Sequence, residues 1–380
     1  MPVDRLRIAV DATALLGRPT GIGSFVAGLL GGLVARPADA VPTLEVSAYA
    51  LSGRGWRGLA GAVPPEVTTR RGTVPAGLGL RLWPRIALPR FEWFAGGVDI
   101  VHGTNFLVPP TGAQAVVTVH DVTPLRYPEL VEGASTRYAA VLRAAIRRGA
   151  VIHTPSRWVA GEVVEDLGVD PARVVAIAHG APPPGRGEPG AGHHQAGGDR
   201  YILALGTIEP RKGLPDLVRA FGRLAEEDHE LRLVLAGPRG WGEEPVEAAQ
   251  AGLFEAARRR VRRLGWVTPE RRNDLLAGAA VLAYPSRYEG FGLPPLEAMA
   301  AGVPVVASDA GALPEVLGSA AALVPVGDVD ALARALAQAL ALDGVARQRV
   351  VAAGRAHAAT YTWAACAEGH AALYDRVAGR

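Results

Sequence analysis

Four junctions in this chain place chemically capable residues where an apolar run gives way to a loop. After Ala115–Val119 come His120 and Asp121. A histidine just past a buried strand points toward a cleft, where its imidazole can exchange a proton or donate a hydrogen bond near neutral pH. Asp121 could fix its tautomer, although neighbours in an extended chain point oppositely. The plain alternative is a histidine satisfied by local hydrogen bonds. After Tyr201–Leu205 the chain reads Gly206-Thr-Ile-Glu-Pro-Arg211-Lys212-Gly213. Two adjacent cations at a strand's carboxyl end suit a diphosphate, Arg offering a planar fork and Lys a point charge. After Val281–Tyr284 a Gly-rich loop carries Glu289, and Pro294 and Pro295 open a helix that holds Glu297. The amides of Gly292 and Leu293 would face an anion there, favoured by the helix dipole. One carboxylate can reach a group beside a phosphate, and the other can accept two vicinal hydroxyls of a ribose. The fourth junction, Gly17-Arg-Pro-Thr-Gly21-Ile-Gly23, follows Leu6–Val10. Its glycines let backbone N–H groups approach an anion, or they simply make a tight turn. It is not the dinucleotide fingerprint, because Val26 stands where a third glycine belongs.

Those loops need strands and helices to aim them. The pattern predicts strands at Leu6–Val10, Leu44–Tyr49, Ile100–His102, Ala115–Val119, Val151–Thr154 and Val174–Ile177. In the second half it predicts Tyr201–Leu205, Leu231–Ala236, Val281–Tyr284, Val303–Ala307 and Ala322–Val324. Helical patterns fall between them at Gly23–Ala35, Ser135–Arg148, Leu214–Glu226, Glu243–Arg263, Arg271–Ala277 and Pro294–Ala301, then at Asp330–Leu340 and Thr362–Val377. Short apolar runs alternating with helices are the mark of βαβ units and parallel sheets. The seam Ala181–Asp199 has Gly or Pro at 10 of 19 positions and no aromatic or β-branched residue, so it reads as a linker. His193 and His194 inside it read as a solvated pair rather than metal ligands. The expected arrangement is an α/β chain with two doubly wound, Rossmann-like parallel-sheet domains facing a cleft that takes ligands at strand carboxyl ends. Residues 1–180 would form one domain and 200–361 the other.

Composition agrees with a soluble globular protein: 49% of the residues are apolar and 20% charged over 380 residues. The net charge of +3 argues against nucleic acid as the main partner. A single cysteine, Cys366, excludes an internal disulfide framework and suits a reducing compartment. No apolar run is long enough to cross a bilayer, and residues 1–17 lack the apolar core of a signal peptide, so a cytoplasmic chain is expected. Lys212 is the only lysine among 40 basic residues. Where arginine is the default cation, a lone lysine in a strand-end loop is a residue to examine.

Taken together, these motifs resemble those of the retaining GT-B glycosyltransferases of family 4. Glu289-Gly-Phe291-Gly-Leu-Pro-Pro-Leu-Glu297, with Ala298-Met-Ala-Ala-Gly302-Val-Pro304-Val after it, is similar to that family's E-x7-E signature. Gly206–Gly213 resembles its donor-diphosphate loop, His120 its active-site histidine and Gly21–Gly23 its N-terminal glycine loop. The motifs run in order from residue 17 to 304, across essentially the whole chain. The resemblance implies an N-terminal acceptor domain, a C-terminal donor domain and a last helix, 362–380, that packs back on the first domain. It implies hexose transfer from a nucleotide sugar with retention. Arg211 and Lys212 would neutralise charge on the departing diphosphate. Glu289 would contact sugar hydroxyls, Glu297 would take the ribose, and His120 would support the oxocarbenium-like transition state. Gly21, Gly23, Gly206, Phe291, Gly292 and Leu293 would line the donor, with Val267 beside the base. No cofactor and no metal are expected, and Asp328-Val-Asp330 reads as a turn and helix cap.

The resemblance points to GDP-mannose as donor, with UDP- and dTDP-sugars as alternatives, and to a glycan or lipid-linked acceptor. The stretch Arg81–Phe94 interleaves arginines with aromatics and could rest on an anionic membrane, or pack with its arginines snorkelling. Arg143, Arg147 and Arg148 share that ambiguity. A catalytically silent nucleotide-sugar-binding protein is the rival from another class, and a nucleotide-dependent reductase is disfavoured by the failed fingerprint. A phosphorylase would need a lysine for pyridoxal phosphate, and the one lysine here already belongs to the diphosphate loop.

Overall fold

The computed structural model describes residues 5–17, 20–71, 74–131 and 133–379. Arg18 and Pro19 of the first glycine loop, and Arg380, lie outside the described residues. The chain divides into two compact units, Met1–Gly180 with Tyr361–Arg380, and Ala181–Thr360.

The first unit is built on seven strands: β1 Leu6–Asp11, β2 Leu44–Tyr49, β3 Thr68–Thr69, β4 Ile100–Gly103, β5 Gln114–Thr118, β6 Val151–Thr154 and β7 Val174–Ala176. Their spatial order is β3-β2-β1-β4-β5-β6-β7, and every pairing is parallel. The second unit has six: β8 Tyr201–Leu205, β9 Arg232–Ala236, β10 Val261–Gly265, β11 Val281–Tyr284, β12 Val305–Ser308 and β13 Ala322–Val324. Their order is β10-β9-β8-β11-β12-β13, again all parallel. Each sheet therefore reverses direction once, between β1 and β4 and between β8 and β11. In an open parallel sheet, loops leaving the strand carboxyl ends on either side of such a reversal diverge and leave a crevice.

The central strands are apolar along their whole length, as both faces are covered by helices. Tyr201–Leu205 and Val281–Tyr284 are buried at every position. In the first unit the Gly21–Val34 helix lies against the Trp363–Val377 helix, because Gly28 and Gly32 leave a flat track for Trp363. A side chain at Gly28 would meet the indole at 2.2 Å. The last helix thus completes the first unit.

Two expectations are corrected. Residues 181–199 form no bare linker: Pro189–Ala196 is a helix of the second unit, packed on the Pro269–Gly278 helix. Gly192 allows the contact, since a side chain there would meet the Asp274 carbonyl oxygen at 2.1 Å. Burial was thus supplied by backbone approach rather than by apolar side chains. The single helix expected over Glu243–Arg263 ends at Ala251, and Val261–Gly265 is the edge strand β10. Arg262 is exposed and Arg263 pairs with Glu243 and Glu247, so the charged run looks like a solvated helix face. The strand Thr68–Thr69 and the helices Arg157–Leu167 and Gly344–Ala358 were not foreseen.

Candidate active site

In the second unit, the loops after β8 and β11 flank the reversal of strand order and are tied together. The N–H of Arg287 donates to the Arg211 carbonyl at 2.7 Å. Gly213 sits at φ +61°, where a side chain would strike the Pro285 carbonyl oxygen at 2.0 Å. Only glycine combines that backbone angle with that approach. The consequence is a buried ionic cluster. Glu289, 6% exposed, accepts from Lys212 Nζ at 2.6 Å, from Arg211 Nη1 at 3.0 Å and from Ser286 Oγ at 2.7 Å. Lys212 also donates to the Tyr284 hydroxyl at 2.9 Å and lies 4.8 Å from the centre of that ring. Arg211 spends a second N–H on Glu209 at 2.8 Å.

The electrostatics follow from this geometry. Burial alone would raise the Glu289 carboxyl, but the charges of Lys212 and Arg211, with the Lys212 and Ser286 hydrogen bonds, outweigh it and hold the group down at about 2. Burial, and then repulsion from Arg211, push Lys212 below the ordinary lysine value, while Glu289 works in the other direction. Two cations are thus fixed and already matched by carboxylates, Lys212 nearly dry and Arg211 partly open to solvent. An incoming dianionic group could take over their hydrogen bonds without having to assemble them.

The Leu293–Ala301 helix starts next to this cluster in sequence. Its N-cap is Gly292, at φ +116°, with no side-chain cap. Prolines follow at the first turn, where a missing N–H costs nothing. Phe291 is buried. Glu297 lies on the buried side of the helix and forms an ion pair with Arg272 of the Pro269–Gly278 helix. Gly206 sits at φ +141°, and a side chain there would come within 3.5 Å of Lys212 Cε. Val267 lies in the loop after β10, half-buried, at the same carboxyl edge of the sheet.

In the first unit, Gly21 opens the Gly21–Val34 helix, and the N–H of Gly23 donates to the Thr20 side chain at 3.1 Å. The amide of Gly23 is therefore engaged in capping rather than held open for an anion. Gly23 is small because a side chain would touch the Ala14 carbonyl oxygen at 3.0 Å. His120, at the end of β5, donates from Nε2 to the Thr104 carbonyl oxygen at 2.8 Å, and its Nδ1 lies 3.2 Å from Nε2 of His179. A carbonyl only accepts, so the His120 proton sits on Nε2, and His179 donates to Nδ1. Burial lowers His120 below the ordinary histidine value, so it is neutral at pH 7. Phe25 stacks edge-on against it, with centroids 5.2 Å apart.

The family described as Glycosyltransferase Family 4 matches residues 21–183, and that described as Glycosyl transferases group 1 matches residues 199–341. The O-antigen chain mannosyltransferase B of Escherichia coli is 34% identical over 276 residues, 70% of this chain and 71% of that one. This chain belongs to the family 4 glycosyltransferases. The MMP alpha-(1->4)-mannosyltransferase of Mycolicibacterium hassiacum is 31% identical over 308 residues, 75% of this chain and 72% of its own. Among solved structures, sucrose-phosphate synthase from Thermosynechococcus elongatus superposes with a TM-score of 0.71 at 21% identity, covering 98% of this chain and 99% of that one, a likeness of GT-B fold.

For a glycosyltransferase of this family, the sequence reading overlooked several partners. The tautomer of His120 is set by the Thr104 carbonyl, with His179 donating to the other nitrogen, whereas Asp121 accepts from the N–H of Thr123 at 2.9 Å. The signal was available, since His179 follows β7 just as His120 follows β5. Tyr284, the last residue of β11, and Ser286, in the loop after it, complete the cradle of Lys212 and Glu289. Arg272, the partner of Glu297, lies in an arginine-rich helix where nothing in the sequence singles it out. Asp11 is another: it is a carboxylate buried at the end of β1, raised to about 6 by burial despite hydrogen bonds from Thr13.

Proposed function

We propose that this glycosyltransferase moves mannose from GDP-mannose, with retention and without a metal ion, to a hydroxyl of a glycan or lipid-linked acceptor. The observation that carries the reading is the pair Arg211 and Lys212, held on one buried carboxylate at the strand-order reversal of the second sheet. Sugar transfer from a nucleotide donor builds negative charge on the departing diphosphate. Fixed, desolvated cations stabilise that charge most where it develops. Arg211 offers the fork and Lys212 the point charge. Glu289 is ionised at every physiological pH and can only accept hydrogen bonds, which suits contact with sugar hydroxyls and rules it out as the proton donor to the leaving group. Gly206, Phe291, Gly292 and Leu293 take donor-lining roles, Glu297 the ribose and Val267 the base. His120 donates only from Nε2, so reaching a sugar requires it to give up the Thr104 carbonyl. Gly21, at the start of its helix, takes a donor-facing role. Mannose is favoured because both relatives described above are named as mannosyltransferases.

The Arg81–Phe94 stretch supports a peripheral contact on the inner face of the cell membrane. Trp83 and Phe91 are fully buried, so half of its aromatics belong to the core. Ile86, Leu88 and Trp93 are exposed at 47%, 43% and 67%, interleaved with Arg85 and Arg90. Apolar tips set among cations fit an anionic surface. Among the described residues no helix is long and apolar enough to cross a membrane.

A thermal-shift screen against GDP, UDP, dTDP and their sugar nucleotides, followed by a transfer assay with the stabilising donor, tests the reading. Selective stabilisation by GDP and GDP-mannose is expected. A shift with UDP or dTDP alone would replace the donor, stabilisation without transfer would favour a silent nucleotide-sugar-binding protein, and no shift with any of them would overturn the donor assignment.

A further inference from the structure

The first unit buries three imidazoles side by side; His179, whose ring lies 5.9 Å from that of His153, separates them from His120, and none of the three is assigned to sugar transfer. His102 on β4, His153 on β6 and His370 on the Trp363–Val377 helix are each 0% exposed, and one ligand nitrogen from each lies within 4.8 Å of the others. The His153 and His370 rings meet edge-on with centroids 4.3 Å apart, and those of His102 and His370 stack at 5.6 Å. Histidine is seldom a core residue, and three at one point of a core need a reason.

Hydrogen-bond accounting locates the lone pairs. Nε2 of His153 faces the Ile177 carbonyl oxygen at 3.0 Å, and Nδ1 of His370 faces the Cys366 carbonyl oxygen at 2.8 Å. Carbonyls only accept, so those nitrogens carry the protons, and the lone pairs sit on His153 Nδ1 and His370 Nε2. Thr118 Oγ1 lies 2.9 Å from His153 Nδ1 and 2.8 Å from His102 Nε2. It gives its one proton to His153 and accepts from His102, whose Nδ1 then receives the Tyr374 hydroxyl at 2.7 Å. One acceptor is left over: His370 Nε2 is buried with no hydrogen-bond partner among the described residues.

We propose that His102, His153 and His370 are a binding site for one divalent cation of the zinc class, held through His102 Nε2, His153 Nδ1 and His370 Nε2. The surroundings have the form that metal-binding histidines need. The far nitrogen of each ring is held by an oxygen, from Tyr374, Ile177 and Cys366 respectively, which fixes ring orientation. Three neutral imidazoles select zinc, cobalt, nickel or copper over calcium or magnesium. A tetrahedral site with Zn–N of about 2.0–2.1 Å sets its nitrogens about 3.4 Å apart, so each ring closes in by less than about 1 Å. Protons balance within the cluster. The His102 proton moves from Nε2 to Nδ1, the Tyr374 oxygen changes from donor to acceptor, and the Thr118 hydroxyl turns aside or fills the fourth position. The ion would join the last helix to β4 and β6 from inside the core, so it loads as that helix docks during folding. It is structural and independent of the donor reading above.

The test is expression of the untagged full chain in minimal medium with zinc or with cobalt, then metal analysis after dialysis against EDTA. About one equivalent per chain is expected, with the visible bands of tetrahedral nitrogen-ligated cobalt in the second sample. His370→Gln should retain less than a tenth of an equivalent, and His193→Gln, in the second unit, should retain all of it. X-ray absorption on the wild-type zinc sample should show imidazole scattering at about 2.0 Å, which keeps the test decisive if His370→Gln fails to fold. Less than a tenth of an equivalent in wild type, equal metal in His370→Gln, or an absorption spectrum without imidazoles would each overturn the proposal.

Discussion

Glu289 has a part to play before any donor arrives: it holds two cations, one of them nearly dry, that could not stay there alone. Replacing it strands those charges. Because its carboxyl is held at about 2, below the ordinary 4.5, its contribution to stability is complete above about pH 4.5 and is lost as the pH falls toward 2. A depression of that size corresponds to about 3 kcal/mol. Melting curves of wild type and Glu289→Gln should therefore differ widely at pH 7 and converge on acidification. A constant gap would show that Glu289 is not the counter-ion. Lys212→Ala should lower kcat by about a hundredfold, with a smaller change in KM, since its charge matters most as the diphosphate departs. Steady-state kinetics check this. The sequence made these residues visible because a lone lysine and a Gly-rich loop are unusual. Arg272 and Tyr284 were invisible because their roles depend on which helix or strand faces which loop, and spacing does not encode that.

Elements, rather than residues, set the distance between the two cationic and acidic loops. Gly213 is the point where one loop touches the other, and both its angle and its clearance exclude a side chain. Gly213→Ala should cost about 1–3 kcal/mol, read as a fall in melting temperature, and should reduce kcat even in the folded fraction. The strands of both sheets were legible to within a residue or two, because fully buried parallel strands are continuous apolar runs. The edge strands β3 and β10 were not: β3 is a pair of exposed threonines, and the charged Arg262 and Arg263 of β10 copy the pattern of a helix. Residues 189–196 were unreadable for a related reason: a helix that packs through glycine backbone leaves no apolar stripe. The helix cap expected at Asp328 is present, its carboxylate accepting from the Ala331 N–H at 2.8 Å.

At the scale of the whole chain, the first unit depends on residues that come after the second. Ending the chain after Thr360 would bare the track formed by Gly28 and Gly32 and uncover buried Cys366, Leu373 and Tyr374 partners in the core. Such a truncation should leave the first unit aggregated while residues 181–360 still melt cooperatively, which calorimetry of the soluble material would show. Transfer assays with and without EDTA should agree for the full chain, since no transfer role is given to an ion and any cation within the histidine core would be out of a chelator's reach. A clean loss of activity on adding EDTA would place a metal in the chemistry itself.

That interrupted layout also dictates a timetable. A ribosome makes the seven strands of the first sheet before the second unit, yet the helix that covers them emerges after the entire second unit. The second unit is contiguous and can fold as it leaves the tunnel, so the part begun later is finished sooner. For the time needed to synthesise some 180 residues at about 5–20 per second, roughly ten to forty seconds, the first sheet waits with one flank uncovered. During nascent life, therefore, this chain is most exposed to chaperones and to its own neighbours on the face later hidden by Trp363.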